Sequence, residues 1–228
     1  MSVTGQQIAD KAETLLLDEA NVRWSATELL GWINSGLGEI VTYKPTAYVT
    51  TTTMQCVAGT KQTLPADAIT FIDVTRNMGA AGTTPGRAIT PVKRGTMDAV
   101  NPDWHTATAS ASARNFIFDP KNPKTFYVYP PQPATGMGHI EIAYGASPPP
   151  LASLAGNIPL DDTYESVLLD YVLYRAYSKD ADSQPSLQRA TTHYQAFANA
   201  VGAKLRFDFA VTPKMDGSDS QSQAAQEQ

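Results

Sequence analysis

Apolar residues recur at three- and four-residue steps in four stretches of the chain, and that period predicts four helices. The clearest pair spans residues 163–179 and 185–206. Tyr164, Val167, Leu168, Tyr171 and Tyr174 fall on one face of the first, while Leu187, Ala190, Tyr194, Phe197, Val201 and Leu205 form the stripe of the second. Asp162 is placed to cap the first of these helices, with Glu165 three residues on, where the partner of a capping box belongs. Residues 180–184 are polar and break the pattern. Pro185 suits the first turn of the next helix, where its missing N–H would have had no partner anyway. So short a connection favours antiparallel neighbours.

Two more helices open the chain. Thr4 with Gln7 has the spacing of a capping box, and Ile8, Ala12, Leu15 and Leu16 give the buried face of a helix over 5–18. The start at Ser25 is clearer: Glu28 is its box partner, and Trp24 and Leu29 occupy the two positions of a hydrophobic staple. Leu29, Ile33, Leu37 and Ile40 continue the stripe over 26–43, and Lys44-Pro45 ends it. Gly36 and Gly38 each cost about 1 kcal/mol against Ala inside a helix. Their presence predicts close approach by another helix.

Residues 46–150 lose the helical period. A strand is expected over 48–57, a turn at Gly59, and a return strand closed by Leu64-Pro65. Further strands are expected over 69–75, 87–92, 115–118 and 125–129, with one helical turn at 96–100. Over 138–144, His139, Glu141 and Ala143 alternate with Ile140, Ile142 and Tyr144, the pattern of a half-buried strand. Residues 77–86 and 104–113 read as long loops of small residues. Short strands with frequent turns predict an antiparallel sheet or small sandwich, and Pro148-Pro149-Pro150 a stiff exit linker. The expected fold is α+β: a bundle of N- and C-terminal helix pairs, an inserted antiparallel β domain and an extended C-terminal tail. The expected divisions are 1–45, 46–150, 151–207 and 208–228, the last too polar to form a core.

Composition narrows the function classes. Charged residues make up 17% of the chain, below the usual quarter, which suits a protein that hides surface in an assembly. The net charge is −5, and only residues 45–160 carry a positive sum, of +2, so no segment is basic enough for tight nucleic-acid binding. Cys56 is alone, which rules out an internal disulfide framework and a four-cysteine metal site. The start lacks a basic region and an apolar core, so no secretory leader is expected, and no apolar run approaches a membrane span. The expectation is a soluble protein made in a reducing compartment.

Candidate chemistry is sparse. Gly79-Ala80-Ala81-Gly82 lacks the Lys and Ser/Thr of a phosphate-binding loop, and no G-x-S-x-G elbow occurs. Asp103-Trp104-His105 has the residue types of a partial triad but reads better as a loop histidine beside a buried Trp. His139 and Glu141 share a strand face without a third metal ligand. His193 reads as a helix-flank residue. Asp161, Asp162 and Glu165 resemble a glycosidase carboxylate set, although a helix N-terminus already accounts for them. Tyr171, Tyr174, Tyr177 and Tyr194 read as core rather than as a base-stacking platform, because no basic groove accompanies them. No catalytic, cofactor or metal residue is assigned.

Five motifs, in order, carry a resemblance. Arg23-Trp24-Ser25-Ala26-Thr27-Glu28-Leu29-Leu30-Gly31-Trp32-Ile33-Asn34 resembles the first signature of the head-to-tail adaptor proteins of tailed bacteriophages, the tail tubular protein A-like group of short-tailed phages. Leu64-Pro65-Ala66-Asp67-Ala68, Asn101-Pro102-Asp103-Trp104-His105, Phe126-Tyr127-Val128-Tyr129-Pro130-Pro131 and 170–180 resemble its later signatures. The resemblance covers about residues 5–207. It implies a non-enzymatic virion protein, made in the bacterial cytoplasm, twelve copies of which form a ring. That ring would sit between the portal and the tail nozzle and line the DNA channel, touching genomic DNA only transiently and non-specifically. An acidic chain suits such a wall, because weak phosphate attraction lets DNA slide. The alternatives are a tail-completion or stopper protein of a long-tailed phage, told apart by the mass of the assembly with and without portal, and a virion cell-wall hydrolase using 161–165, told apart by peptidoglycan clearing. Within the adaptor reading, Phe207, Phe209, Val211 and Met215 are the expected portal anchors on an extended tail. Asn77, Gly79, Gly82, Trp104 and His105 mark the loops expected to touch neighbouring subunits or the nozzle.

Overall fold

Thr4 and Ser25 start the first two helices, each with its capping box closed in both directions. Helix α1 is Gly5–Leu16 and α2 is Ala26–Tyr43. The computed structural model describes residues 2–180 and 184–211. α1 stops two residues short of the expected end because Leu17 turns left-handed, at φ 56°, and Asp18 has another task. Its carboxylate accepts from the backbone N–H groups of Val22, Arg23 and Trp24, at 2.9–3.0 Å, and so shapes the turn into α2. Those bonds, Trp24's foremost, hold the Asp18 carboxyl below the ordinary range. Leu15, expected inside, is 55% exposed.

A 3-10 turn, Asp162–Tyr164, leads into α4, Glu165–Lys179, and α5 is Gln184–Val211. Asp161, not Asp162, caps this start, by accepting from Thr163 N–H at 2.9 Å. Asp162 instead accepts from Val3 N–H at 2.9 Å. α5 runs five residues past the expected end at 206. Residues 207–211 contain no Gly or Pro, and the first true stop signal is Pro213. The stretch 207–211 is Phe-Asp-Phe-Ala-Val, itself largely apolar, so the polar run of the tail begins beyond it. Leu187, expected in the stripe, is 52% exposed.

α1, α2, α4 and α5 bury one core, with Ile8, Leu29, Ile33, Leu168 and Phe197 fully enclosed. Gly36 makes the contact between α2 and α4 possible. A Cβ there would lie 3.0 Å from Tyr171 Cδ1 and 3.1 Å from Leu168 Cδ2. Gly38 has no such neighbour within 4 Å, so the expected close approach holds for Gly36 alone. Ion pairs fasten the rim: Lys11 to Glu165 at 2.5 Å, Lys179 to Glu28 at 2.5 Å, and Arg23 to Asp180. The N-terminal residues are clipped to the segment that follows the β region. Gly5 N–H donates to Gly156 C=O, Gln6 N–H to Leu154 C=O, and Ile158 N–H to Val3 C=O. Asn34 holds Leu151 through both its backbone groups.

Between the helix pairs lie β1 (Val49–Gln55), β2 (Gly59–Thr63), β3 (Ala68–Asn77), β4 (Thr90–Pro91), α3 (Arg94–Val100), β5 (Asn115–Phe118), β6 (Thr125–Gln132) and β7 (His139–Ala146). They make two sheets, ordered β1-β7-β3 and β2-β6-β5-β4. The expected hairpin of β1 with its return strand does not form: β1 pairs with β7 and β2 with β6. Buried Cys56 and the Gln62 side chain, which bonds Val57 N–H and C=O, turn the chain from one sheet to the other. The β4–β5 pair is parallel; the remaining pairs are antiparallel as expected. The two sheets share a core, with Phe71 of β3 against Phe116, Phe118 and Phe126 at ring distances of 4.7–5.5 Å. Alternation sends Ile117, Tyr127 and Tyr129 to the other face of the second sheet, where Met97 and Trp104 cover them. Tyr48 packs against both the helical and the sheet core.

Candidate functional site

The loops 78–86 and 104–113 are long, yet each is tied down at defined points. Asn77, at the end of β3, is 6% exposed. Its Nδ2 donates to Arg87 C=O at 2.9 Å and Ala113 C=O at 2.8 Å, and its Oδ1 accepts from Ala113 N–H at 2.8 Å. One carboxamide therefore joins the end of the first loop to the end of the second. Met78 N–H donates to His139 C=O and His139 N–H to Gly79 C=O, at 2.7 and 3.1 Å, which lays the first loop along the start of β7. Gly82, at φ +76°, rests on the His139 ring: a Cβ there would stand 2.9 Å from Cδ2. Backbone conformation and contact both require glycine at this position.

The second loop is fastened from inside. Trp104 is 1% exposed and its Nε1 donates to Asp98 at 2.9 Å. His105 stacks on it at 3.6 Å between rings, with Nδ1 2.8 Å from Thr60 Oγ1. Trp104 thus anchors the loop to the third core, while His105 lies exposed on top of it. Further along, Ser110 C=O accepts from Gln132 Nε2, whose Oε1 accepts from Gly138 N–H. Ala111 C=O passes so near Gly138 that a Cβ there would lie 1.9 Å away. Buried Gln132 and Gly138 carry no advance signal; they matter through where the chain crosses. Between the loops lies a cleft of about 270 Å³, bordered by Asn77, Ala80, Thr84, Pro85, Arg87 and Ser112. Ala80 and Ala81 are exposed at the tip.

The second candidate surface is the far end of α5. Phe207 is 65% exposed there. Phe209 and Val211 follow on the same helical backbone, so the extended conformation expected for 207–211 is replaced by helix; Met215 lies outside the described residues.

Most of the groups singled out for chemistry are engaged in structural contacts, His139 excepted, whose Nδ1 is buried with no hydrogen-bond partner among the described residues. Asp161 caps the 3-10 turn, its carboxyl held low by hydrogen bonds from Thr163. Asp162 holds Val3 and Glu165 holds Lys11. Glu141 pairs with Arg76 at 2.7 Å, and His193 Nδ1 lies 2.9 Å from Asp170. Tyr171 is buried, and Tyr174, Tyr177 and Tyr194 pack against the same core. Burial pushes the Cys56 thiol up to about 12. Among the described residues no group of three or more His, Cys, Asp or Glu is placed to hold a metal, and no helix is long and apolar enough to cross a membrane.

What remains prominent on the α+β scaffold is two loops tied down at defined points and a helix end that exposes Phe207. The chain belongs to the SU10 adaptor protein family, which it matches over residues 3–224. It is accordingly a phage adaptor protein, a structural component of the virion from a family that is not enzymatic. No curated protein matches the chain.

Proposed function

We propose that this protein is a head-to-tail adaptor that assembles as a ring of twelve between the portal and the tail nozzle. The family match over 3–224 carries this reading. The ordered motifs that resemble the tail tubular protein A-like group support its finer part. In this role the end of α5, with Phe207, Phe209 and Val211, and the following Met215 engage the portal. The loops that carry Asn77, Gly79, Gly82 and His105 face a neighbouring subunit or the nozzle, with Trp104 fixing their base. The ring wall, built from a chain of net charge −5, lets genomic DNA pass without holding it.

The test is reconstitution. Purified protein is mixed with portal rings and imaged by electron microscopy, with and without nozzle protein. Twelve-fold density seated on the portal is the expected result. A chain truncated after Val211 and carrying Phe207→Ala should keep its thermal melt and lose portal docking. Unchanged docking by that variant would remove the C-terminal end from the portal interface, and absence of any ring on the portal would overturn the reading.

A further inference from the structure

β1 pairs with β7 in an unbroken register, from Val49 opposite Gly145 to Gln55 opposite His139. Bonds just beyond its two ends set the phase. Ala146 N–H donates to Tyr48 C=O, and Cys56 N–H to Gly138 C=O, both at 2.9 Å. In an antiparallel ladder, bonded and non-bonded pairs alternate. The even-numbered residues therefore bond to β7, while Val49, Thr51, Thr53 and Gln55 aim their N–H and C=O groups at the opposite edge. The order β1-β7-β3 leaves no strand there. No hydrogen bond among the described residues reaches those groups.

Open edges are ordinarily guarded by charge, proline, a bulge or a covering segment. Among the described residues β1, with the sequence VTTTTMQ, carries no charge, proline or bulge, and the loop 78–86 reaches it at the Thr53 methyl beside Gly82 without bonding its outward backbone groups. The other edge of the same sheet is guarded in every way but proline. β3 shifts register at three places, carries Asp73 and Arg76, and is bonded along its outer side to Pro123, Arg87 and Ile89. In the second sheet β2 carries Lys61 and a register shift, and β4 is two residues long. A second copy thus offers one edge that matches β1, which is β1 itself.

We propose that two copies of the free protein pair through β1, antiparallel about Thr52. In that register Thr51 faces the other copy's Thr53, and Val49 faces its Gln55. These are the residues whose backbone groups point outward, so every open donor and acceptor finds a partner. Threonine meets threonine across the seam, a favourable cross-strand pair, and no like charges are opposed. The result is a continuous six-stranded sheet, β3-β7-β1 joined to its two-fold mate. Such an isologous contact closes at two copies and cannot propagate. It is therefore separate from any ring contact, and it stands or falls independently of the adaptor ring. It would cap a pairing-competent edge while the subunit is free.

Mass measurement of the full chain by light scattering tests this. Wild type should run at twice the chain mass of 24.5 kDa. Thr51→Lys/Thr53→Lys places positive charge opposite positive charge and should yield single chains, with at least a tenfold weaker association. Thr51→Lys/Thr53→Glu places opposite charges face to face in this register and should restore the pair. Both positions are exposed, so the double lysine variant should still unfold in a single cooperative thermal transition. A wild-type mass of one chain, an identical mass for wild type and the double lysine variant, or single chains for the lysine–glutamate variant would each overturn the proposal.

Discussion

The carboxamide of Asn77 reaches three backbone groups in two loops that are otherwise far apart in sequence. Asn77→Ala leaves the N–H and the C=O of Ala113 without their partner in a buried place, while the Arg87 carbonyl keeps the backbone N–H of residue 77. Each such group costs about 1–3 kcal/mol, so a loss of about 2–4 kcal/mol is expected in urea unfolding. Asn77→Asp should be at least as damaging, because a carboxylate oxygen would then face the Arg87 and Ala113 carbonyls. Asp18 gives a prediction with a pH signature. Its carboxyl is held low in the folded chain by the backbone N–H groups of Trp24, Arg23 and Val22. A depressed carboxyl contributes stability that is fully present above its unfolded value, about 4, and drains away as pH falls through the folded value. Asp18→Asn should therefore melt below wild type at pH 7, and the gap should close as both are acidified toward pH 2. A gap that stays constant with pH would show that the carboxylate charge is not what the turn uses.

At the level of elements, α2 contains a paired experiment two residues apart. Gly38→Ala adds a methyl where nothing lies within 4 Å, so it should stabilise by about 1 kcal/mol through helix propensity alone. Gly36→Ala gains the same propensity but presses on Tyr171 and Leu168, both packed in the core, and overpacking costs about 1–3 kcal/mol. Opposite shifts in thermal midpoint are expected. The same helix shows what a sequence exposes to reading. Its ends were legible because capping is local: Ser25, Glu28 and Lys44-Pro45 lie within a few residues of the bonds they make. The start of α4 was misplaced by one cap, since nothing local tells Asp161 from Asp162 when the second is claimed by Val3, far away in sequence. Strand positions were readable from alternation, as with Ile140, Ile142 and Tyr144. Strand partners were not, because β1 and β2 part company at Cys56 for reasons that lie in β7 and β6. The loops announced themselves by small residues, but their tether did not: Asn77 looks like any turn asparagine until Ala113 is beside it.

For the whole molecule, the pinned loops leave a free tip that can be altered without touching the fold. Ala80→Arg/Ala81→Arg changes two exposed residues, and exposed substitutions usually shift stability by no more than about 0.5 kcal/mol. In the adaptor reading the double variant keeps its melt and lowers the yield of tailed particles; full yield, counted by electron microscopy, would take the tip out of the interface. The clip of residues 3–6 onto 154–158 has a different kind of consequence, in time rather than in space. A ribosome releases this chain from its N-terminus. The sandwich core draws on residues 56–146, a single stretch, and can close as soon as that stretch is out. The helical core needs residues 8–41 together with 158–201. The apolar stripes made first are thus the last to be covered. Throughout translation of the β region they remain on display to chaperones, to proteases and to other nascent chains on the same message.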